Sequence, residues 1–190
     1  MSLAVIPGDP SRLALVTGGT GGIGRSIVAL LAERGVDVVF TYRANEEVAR
    51  EVSEATGARA IQLDLTGDRV PAALADLDLD ILVYASGPHV PMRHLSTVPP
   101  EEMRTQLLED TVGFYALVHA ALPGLRRRQG SVVAVTTAAT ARFAVRDGLS
   151  SVPKAAVEAA VMALAKEEGR FGVRFNCVGP GMLTQGMAER

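Results

Sequence analysis

Six short runs rich in β-branched and aliphatic residues alternate with helix-patterned segments, and this alternation limits the fold more than any other feature. The runs are residues 13–17, 36–42, 58–64, 80–86, 131–137 and 173–179. Most are too uniformly apolar to face water on one side, which is typical of parallel strands covered by helices on both faces. The sequence therefore predicts one doubly wound α/β domain over residues 1–190, with a parallel sheet of about six strands.

Helical patterns fill the segments between the runs. A long helical stretch is predicted from about residue 101 to 128, and Pro123 should break or kink it. An apolar stripe that follows Pro153 predicts another helix, which ends near Gly169 or Gly172.

The composition restricts the classes of partner. A formal net charge of −2 provides no field that would gather nucleic acid or anionic lipid, so we expect neither partner. The single cysteine, Cys177, lies in an apolar run and predicts a buried thiol in a reducing, cytoplasmic compartment. No basic leader and no long apolar run is found, so a soluble chain without a membrane span is expected.

A glycine-rich segment, VTGGTGGIGR at residues 16–25, joins the first run to a helical stripe over residues 23–31. Its spacing fits both G-x-G-x-x-G and T-G-x-x-x-G-x-G. Glycine permits close approach of the backbone, and the following helix aims free N–H groups at a pyrophosphate. The segment predicts a Rossmann-like dinucleotide site, with a ligand-free turn as the alternative; its residues are Gly18, Gly19, Thr20, Gly22, Ile23, Gly24 and Arg25.

The end of the second run selects between the two pyridine dinucleotides. Domains that prefer NAD carry an acid there, whereas this chain reads FTYRAN, with Arg43 and no acid. A guanidinium suits a 2′-phosphate, so NADP(H) is the predicted cofactor. Arg25 would add a second positive charge, unless both arginines are only solvated surface residues.

Further motifs carry a family resemblance: LDL at 63–65, LVYASG at 82–87, GSVVAVTT at 130–137, Lys154, and NCVGPG at 176–181. With the glycine loop, they make the chain resemble the short-chain dehydrogenase/reductases, and 3-oxoacyl-carrier-protein reductases in particular. The resemblance implies a cofactor site in which Asp64 meets adenine and Lys154 holds the nicotinamide ribose. It also brings to the cofactor the residues Leu65, Ala85, Ser86, Gly87, Pro180 and Gly181. From the residues alone, Asp64 is equally an ordinary carboxylate at a strand end.

The catalytic positions depart from the family pattern, in which an Asn, a Ser, a Tyr and a Lys cooperate. Only Lys154 is unchanged: Thr137 stands at the serine position, Ser150 at the tyrosine position and Asp110 at the asparagine position. An aliphatic hydroxyl ionises far less readily than a phenol, so Ser150 is a poor proton donor. Asp110 is expected either to pair with Lys154 or to be a plain surface carboxylate, and Thr137 either to polarise a carbonyl or only to end a strand.

Three other side chains are candidate acids or contact residues. His89 lies in a loop after the fourth run and is more often a polar loop residue than an acid. Tyr84 is expected to pack rather than react, and Tyr115 to be buried in a helix–helix or subunit contact.

The resemblance also implies a final strand that this chain lacks, either naturally or through truncation of a longer parent. The last run would then be an uncovered sheet edge, which predicts a homo-oligomer that shields it.

Two functions follow from these expectations. The first is a weak NADP(H)-dependent reductase of a ketone or 3-oxoacyl-type substrate. The second is an inactive, reductase-like protein that binds NADP(H) as a sensor or scaffold. No metal site is predicted.

Overall fold

The computed structural model describes residues 12–65, 74 and 77–181. The strands in this part of the chain are β1 (Leu13–Thr17), β2 (Asp37–Tyr42), β3 (Arg59–Gln62), β4 (Ile81–Tyr84), β5 (Ser131–Val135) and β6 (Arg174–Val178). They form one parallel sheet in the order β3-β2-β1-β4-β5-β6. The predicted doubly wound α/β fold with six strands is confirmed. The strand order reverses between β1 and β4, which is where such sheets bind ligands.

Several predicted strands are longer than the observed ones at their carboxyl ends. The runs 80–86 and 131–137 leave the sheet two residues early, at Tyr84 and Val135. The residues beyond these points form loops at the carboxyl edge of the sheet, where a ligand crevice is expected. The sequence pattern did not mark this boundary because the loop residues 85–86 and 136–137 are as small or β-branched as the strands.

Helices cover both faces of the sheet. They are α1 (Gly22–Glu33), α2 (Glu46–Thr56), α3 (Pro100–Gln106), α4 (Gly113–Arg128) and α5 (Gly148–Glu168). A π-helical segment, Leu107–Val112, joins α3 to α4, so the predicted helical stretch over 101–128 is continuous. Short 3₁₀ turns follow β5, at Ala138–Thr140, and α5, at Gly169–Phe171. The predicted end of α5 near Gly169 is confirmed.

Pro123 does not break the long helix: the predicted break is wrong, and the predicted alternative, a kink, stays a prediction. Helix α4 runs through it from Gly113 to Arg128. Proline cannot donate to the carbonyl four residues earlier, that of His119. Both Pro123 and His119 are exposed, so water can satisfy the freed carbonyl without ending the helix.

The strands alternate their side chains between two apolar clusters. On one face, Leu15, Leu82 and Tyr84 pack with Phe114 of α4 and Val157 of α5. On the other face, Val16, Val38, Phe40 and Val83 pack with Val28 of α1. This period of two is the pattern expected of strands buried on both faces.

One stretch, Gly148–Phe171, is long and apolar enough to cross a membrane by length and composition. That is weak support for a span, because core helices meet the same criterion. Here Val157, Val161 and Leu164 of the stretch belong to the core cluster on the sheet. Its apolar character is therefore explained by packing.

Candidate dinucleotide and catalytic site

The turn between β1 and α1 uses glycine where no side chain fits. Gly18 has a φ of +67°, and a Cβ there would lie 2.8 Å from the Ala85 carbonyl oxygen. A Cβ on Gly24 would lie 2.1 Å from the Gly18 carbonyl oxygen. The turn thus presses against both its own helix and the end of β4, which leaves the backbone as the surface offered to a ligand.

The amino end of α1 has free capacity for an anion. Its N-cap, Gly21, makes no side-chain hydrogen bond, and the first turn holds no acid. The first N–H groups of a helix lack partners within it, and the helix dipole favours negative charge there. This end can therefore accept a diphosphate.

Thr17 fastens this turn to the neighbouring strand. Its buried hydroxyl accepts hydrogen bonds from the backbone N–H groups of Ala85, at 3.2 Å, and Ser86, at 3.3 Å. These two hydrogen bonds hold the loop after β4 against the end of β1, at the point where the strand order reverses.

A cleft opens between these loops at the carboxyl edge of the sheet. Predicted cofactor residues that line it are Gly18, Thr20, Arg43, Asp64, Leu65, Ala85, Ser86 and Gly87. Gly21, Thr41, Tyr42, Leu63 and Glu109 also line it, and the prediction did not include them among the cofactor residues. The lining does not include the other predicted residues, which are Gly19, Gly22, Ile23, Gly24, Arg25, Lys154, Pro180 and Gly181.

Two of the residues outside the lining have a visible structural reason for being glycine. A Cβ on Gly19 would lie 2.4 Å from the Phe40 ring, and the Gly19 N–H donates to the Thr41 carbonyl at 2.9 Å. Gly24 packs on Gly18 as described above. These glycines shape the turn and do not themselves face the cleft.

The two arginines differ in position. Arg43 lines the cleft, and its backbone carbonyl accepts a hydrogen bond from Gln62 Nε2 at 3.0 Å. Arg25 points to Glu51, with 3.5 Å between Nη2 and Oε2. Both side chains are more than half exposed.

Asp110 and Lys154 form a buried ion pair. Lys154 Nζ donates to Asp110 Oδ1 at 2.8 Å and to the Ser86 carbonyl oxygen at 3.3 Å. The side chains are 5% and 12% exposed for Asp110 and Lys154, respectively. The expectation of a pair is confirmed, and the alternative of a surface carboxylate is wrong, because Asp110 lies on the buried face of the helix, four and seven residues before Phe114 and Leu117.

Tyr84 also contacts Asp110. Its hydroxyl donates to the Asp110 carbonyl oxygen at 2.9 Å and lies 3.2 Å from Oδ1. Burial raises the pKa of the phenol well above its ordinary value, and the charge and hydrogen bond of Asp110 raise it further. Tyr84 is fully buried, so the prediction that it packs is confirmed, and it is neither accessible nor acidic enough to protonate a substrate.

Thr137 and Ser150 lie on either side of the loop between β5 and α5. The Thr137 hydroxyl accepts from the Ala139 N–H at 3.2 Å, which leaves its own hydrogen available to a ligand. Ser150 lies in the first turn of α5, and its hydroxyl makes no hydrogen bond with the described residues. Because Ser150 and Lys154 are four residues apart on one helix, their side chains share a face.

Pro180 is close to the Thr137 loop. Its carbonyl oxygen accepts from the Ala138 N–H at 2.9 Å, and a Cβ on Gly179 would lie 3.1 Å from the Thr137 carbonyl. The end of β6 therefore sits beside the carboxyl end of β5, where the resemblance expects the nicotinamide side of the site.

Two expectations about burial are corrected. Tyr115 is 54% exposed, so it is not buried in a helix–helix contact within the chain, and contact with another subunit stays a prediction. Cys177 is only half-buried, because it lies on the edge strand β6. Burial and the nearby Glu158 raise the pKa of its thiol, although Lys154 opposes them. His89 is exposed in the loop after β4, as expected of a polar loop histidine.

Comparison with known proteins shows which family and which relatives the chain is similar to. Residues 18–190 match the family model described as Enoyl-(Acyl carrier protein) reductase. The chain is 32% identical over 188 residues to L-fucose dehydrogenase of Rattus norvegicus, covering 95% of this chain and 69% of the relative. It is 28% identical over 185 residues to the 3-oxoacyl-[acyl-carrier-protein] reductase of Aggregatibacter actinomycetemcomitans, covering 91% and 76%, respectively.

A solved structure described as a short chain dehydrogenase/reductase family protein superposes with a TM-score of 0.81 at 36% identity, over 90% of this chain and 74% of the other. The chain spans 63% of the length of the L-fucose dehydrogenase of Oryctolagus cuniculus, to which it is 31% identical over 178 residues. The glycine turn, the strand order and these matches agree on one family of oxidoreductases that use NAD(H) or NADP(H). The chain belongs to the short-chain dehydrogenase/reductase family.

Proposed function

We propose that the chain binds NADP(H) and transfers hydride, weakly, between NADPH and a ketone or 3-oxoacyl-type substrate. The observation that carries this proposal is the cleft that joins the glycine turn to Arg43, with no acid at the end of β2. A pyrophosphate fits the backbone amides of the turn, and a 2′-phosphate fits a guanidinium. The reductases among the relatives supply the substrate class.

Several residues are suited to hold the cofactor. The turn from Gly18 to Gly21 would take the diphosphate, and Asp64 with Leu65 would take the adenosine. Lys154 would reach the nicotinamide ribose from behind Ser86 and Gly87, since a Cβ on Gly87 would lie 3.8 Å from Nζ. When bound, NADPH supplies the hydride.

Proton delivery is the weak step of this proposal. Ser150 has an aliphatic hydroxyl in place of the family's phenol, and a positioned acid commonly contributes roughly 10²–10⁴-fold in rate. Thr137 still has a hydrogen to donate to a carbonyl oxygen. We infer slow turnover, with the proton supplied by water or relayed through Lys154.

A second function is supported by the ion pair of Lys154 with Asp110. A lysine held at 2.8 Å by a buried carboxylate has less positive charge to offer a neighbouring acid. This arrangement suits a protein that binds NADP(H) as a sensor or interaction scaffold without turnover.

In the first experiment, the purified chain is titrated with NADPH and with NADH, and calorimetry measures the binding. The reductase and the sensor both require binding, with NADPH bound more tightly. A ratio of NADPH to NADH affinity that Arg43→Ala does not lower would contradict the assignment of Arg43, and an absence of heat with either dinucleotide would remove both functions.

The second experiment separates the two functions. Loss of NADPH absorbance is followed across a panel of ketones and 3-oxoacyl thioesters, for the wild type, Ser150→Tyr and Lys154→Ala. Slow wild-type turnover that Lys154→Ala abolishes supports the reductase. An inert wild type that gains turnover with Ser150→Tyr supports the sensor.

We also propose that the chain is a cytoplasmic homo-oligomer. Support comes from apolar side chains on the long helices that are about half exposed or more, namely Leu108, Val112, Tyr115 and Met162, and from the edge position of β6. Sedimentation at micromolar concentration should give a dimer or larger species. A monodisperse monomer would contradict the proposal.

A further inference from the structure

Glu109 brings a carboxylate into the cleft from an element that the glycine motif does not predict. It precedes Asp110 in the π-helical segment, and it lines the same cleft as Gly18, Arg43 and Asp64. Its side chain is 24% exposed, which is less than half of the value for Arg43, 60%. The carboxylate is therefore part of the wall and is not a freely solvated surface group.

The position of Glu109 is fixed by packing on the other side of the cleft. Gly113, one helical turn later, approaches Leu65 so closely that a Cβ on it would lie 3.3 Å from both the Leu65 Cβ and its carbonyl oxygen. Asp110, the next residue, is anchored to Lys154 and Tyr84. These contacts keep the backbone of Glu109 at the cleft, because neither neighbour can move without breaking a buried contact.

Glu109 faces the arginine that we assign to the 2′-phosphate. Arg43 Nη1 and Glu109 Oε2 are 3.9 Å apart, at the outer limit of an ion pair. The Arg43 backbone carbonyl accepts a hydrogen bond from Gln62, and the Arg43 guanidinium lies next to the Glu109 carboxylate. A phosphate that arrives at Arg43 must share the guanidinium with this carboxylate and also meets its negative charge.

We propose that Glu109 is a specificity-determining residue, which lowers the preference of this site for NADP(H) over NAD(H). The inference rests on the proposed function, since it requires a dinucleotide in the cleft and Arg43 near its 2′ position. A 2′-hydroxyl is uncharged and is not repelled by a carboxylate, whereas a 2′-phosphate is. Glu109 therefore penalises one dinucleotide selectively, and Arg43 favours the same one.

The test compares dissociation constants for NADP⁺ and NAD⁺, measured by calorimetry at low salt, for the wild type, Glu109→Gln and Glu101→Gln. Glutamine keeps the size of the side chain and removes its charge. Glu101 is the matched control, because it lies on the same helical stretch, is exposed and does not line the cleft. Glu109→Gln should raise the ratio of NADP⁺ to NAD⁺ affinity about threefold to tenfold, and Glu101→Gln should leave it within about twofold.

A double variant separates the mechanism from a general change in charge. In an Arg43→Ala background, the Glu109 carboxylate and the 2′-phosphate no longer share a guanidinium. Any remaining effect of Glu109→Gln is then direct repulsion between the carboxylate and the phosphate. Glu109→Gln should therefore change the ratio of NADP⁺ to NAD⁺ affinity less in this background than in the wild type. The effect should also shrink at high salt, because the pair is partly exposed.

The outcomes are distinct. An unchanged ratio in Glu109→Gln, or an equal gain for both dinucleotides, overturns the role of Glu109 and leaves the proposed function standing. Failure of the wild type to bind either dinucleotide overturns the proposed function itself, and this inference with it.

Discussion

The two ends of the crevice, one around the glycine turn and one around Lys154, differ in how far they keep the family pattern. At the glycine turn, close contacts leave no room for a side chain at Gly18 and Gly24, which meet backbone, or at Gly19, which meets the Phe40 ring. At the other end, the resemblance predicts that three of the four family catalytic residues are replaced, and the lysine is paired with Asp110. The shape of the glycine turn depends on the absence of side chains, whereas the chemistry around Lys154 depends on which side chains are present.

This difference indicates that the scaffold tolerates changes at the predicted catalytic positions. Ser150, the residue predicted at the family's tyrosine position, lies in an intact α5, and Asp110 finds partners in Lys154 and Tyr84. Gly18, Gly19 and Gly24 of the turn have no such freedom, because a Cβ there would overlap neighbouring atoms. Changes at the catalytic end therefore affect chemistry first, while changes at the glycine turn affect binding and folding together.

The largest effect on stability is expected from Asp110→Ala. The substitution removes the carboxylate that pairs with the buried Lys154 ammonium, while the Tyr84 hydroxyl keeps its hydrogen bond to the backbone carbonyl of residue 110. Breaking a buried ion pair commonly costs about 3 kcal/mol or more. Urea unfolding should show this loss, whereas Asp37→Ala, which removes an exposed carboxylate, should change stability by about 0.5 kcal/mol or less.

The same variant sharpens the comparison between the two ends. Asp110→Ala changes the setting of Lys154, which would hold the nicotinamide ribose, but the glycine turn does not touch Asp110; calorimetry should therefore show that NADP(H) binding is weakened and not lost. Complete loss of binding in a variant that is still folded would mean that the two ends are coupled.

A smaller loss of stability, with loss of binding, is expected from Gly24→Ala. The added Cβ would lie 2.1 Å from the Gly18 carbonyl oxygen, so the turn must shift, which costs about 1–3 kcal/mol. The shift also misaligns the amides that would face the diphosphate, and calorimetry should no longer detect NADP(H). The matched control is Gly169→Ala, where a Cβ meets nothing within 4 Å. Binding that survived in Gly24→Ala would show that the turn is more adaptable than its contacts indicate.

The smallest effect concerns an ion pair that lies at neither end. Arg126 holds Glu168 through two hydrogen bonds of 2.7 Å, and the bond to Arg126 lowers the pKa of Glu168 although burial opposes it. A lowered folded-state pKa stabilises the fold above the ordinary glutamate pKa of about 4.3, and this contribution is lost as the pH falls through the folded value. Glu168→Gln should flatten the fall in stability below about pH 4.5, and the exposed Glu167→Gln should not.

The Arg126–Glu168 pair also helps to separate acid unfolding from titration within the crevice. A pH-dependent change in turnover or NADP(H) binding that persists in Glu168→Gln arises in the crevice, since this variant loses less stability in acid. An identical acid profile in both variants would mean that Glu168 does not contribute.

Much of the fold followed from local patterns. The apolar runs gave the strands, and the glycines before the stripe at 23–31 gave the first β–turn–α unit. Strand ends were less predictable, because Ala85 and Ser86 differ little from strand residues. The helix does not break at Pro123, where Pro123 and His119 are exposed to water, and the local sequence does not show that exposure.

At the site, the motif residues were predicted and their companions were not. Glu109 carries no motif, and it precedes Asp110, which lies on the buried face of the helix four residues before Phe114. That Glu109 lines the cleft depends on how this helix packs on the sheet, and the local sequence does not show this packing.

The amino-acid sequence by itself determined the α/β architecture and the glycine turn, because these depend on residue type, period and spacing along the chain. The tertiary structure decided that Asp110 is bound to Lys154 and Tyr84, and that Glu109 faces Arg43. Those residues are distant in the chain, so only the packing of helix against sheet fixes the distances on which their charges act.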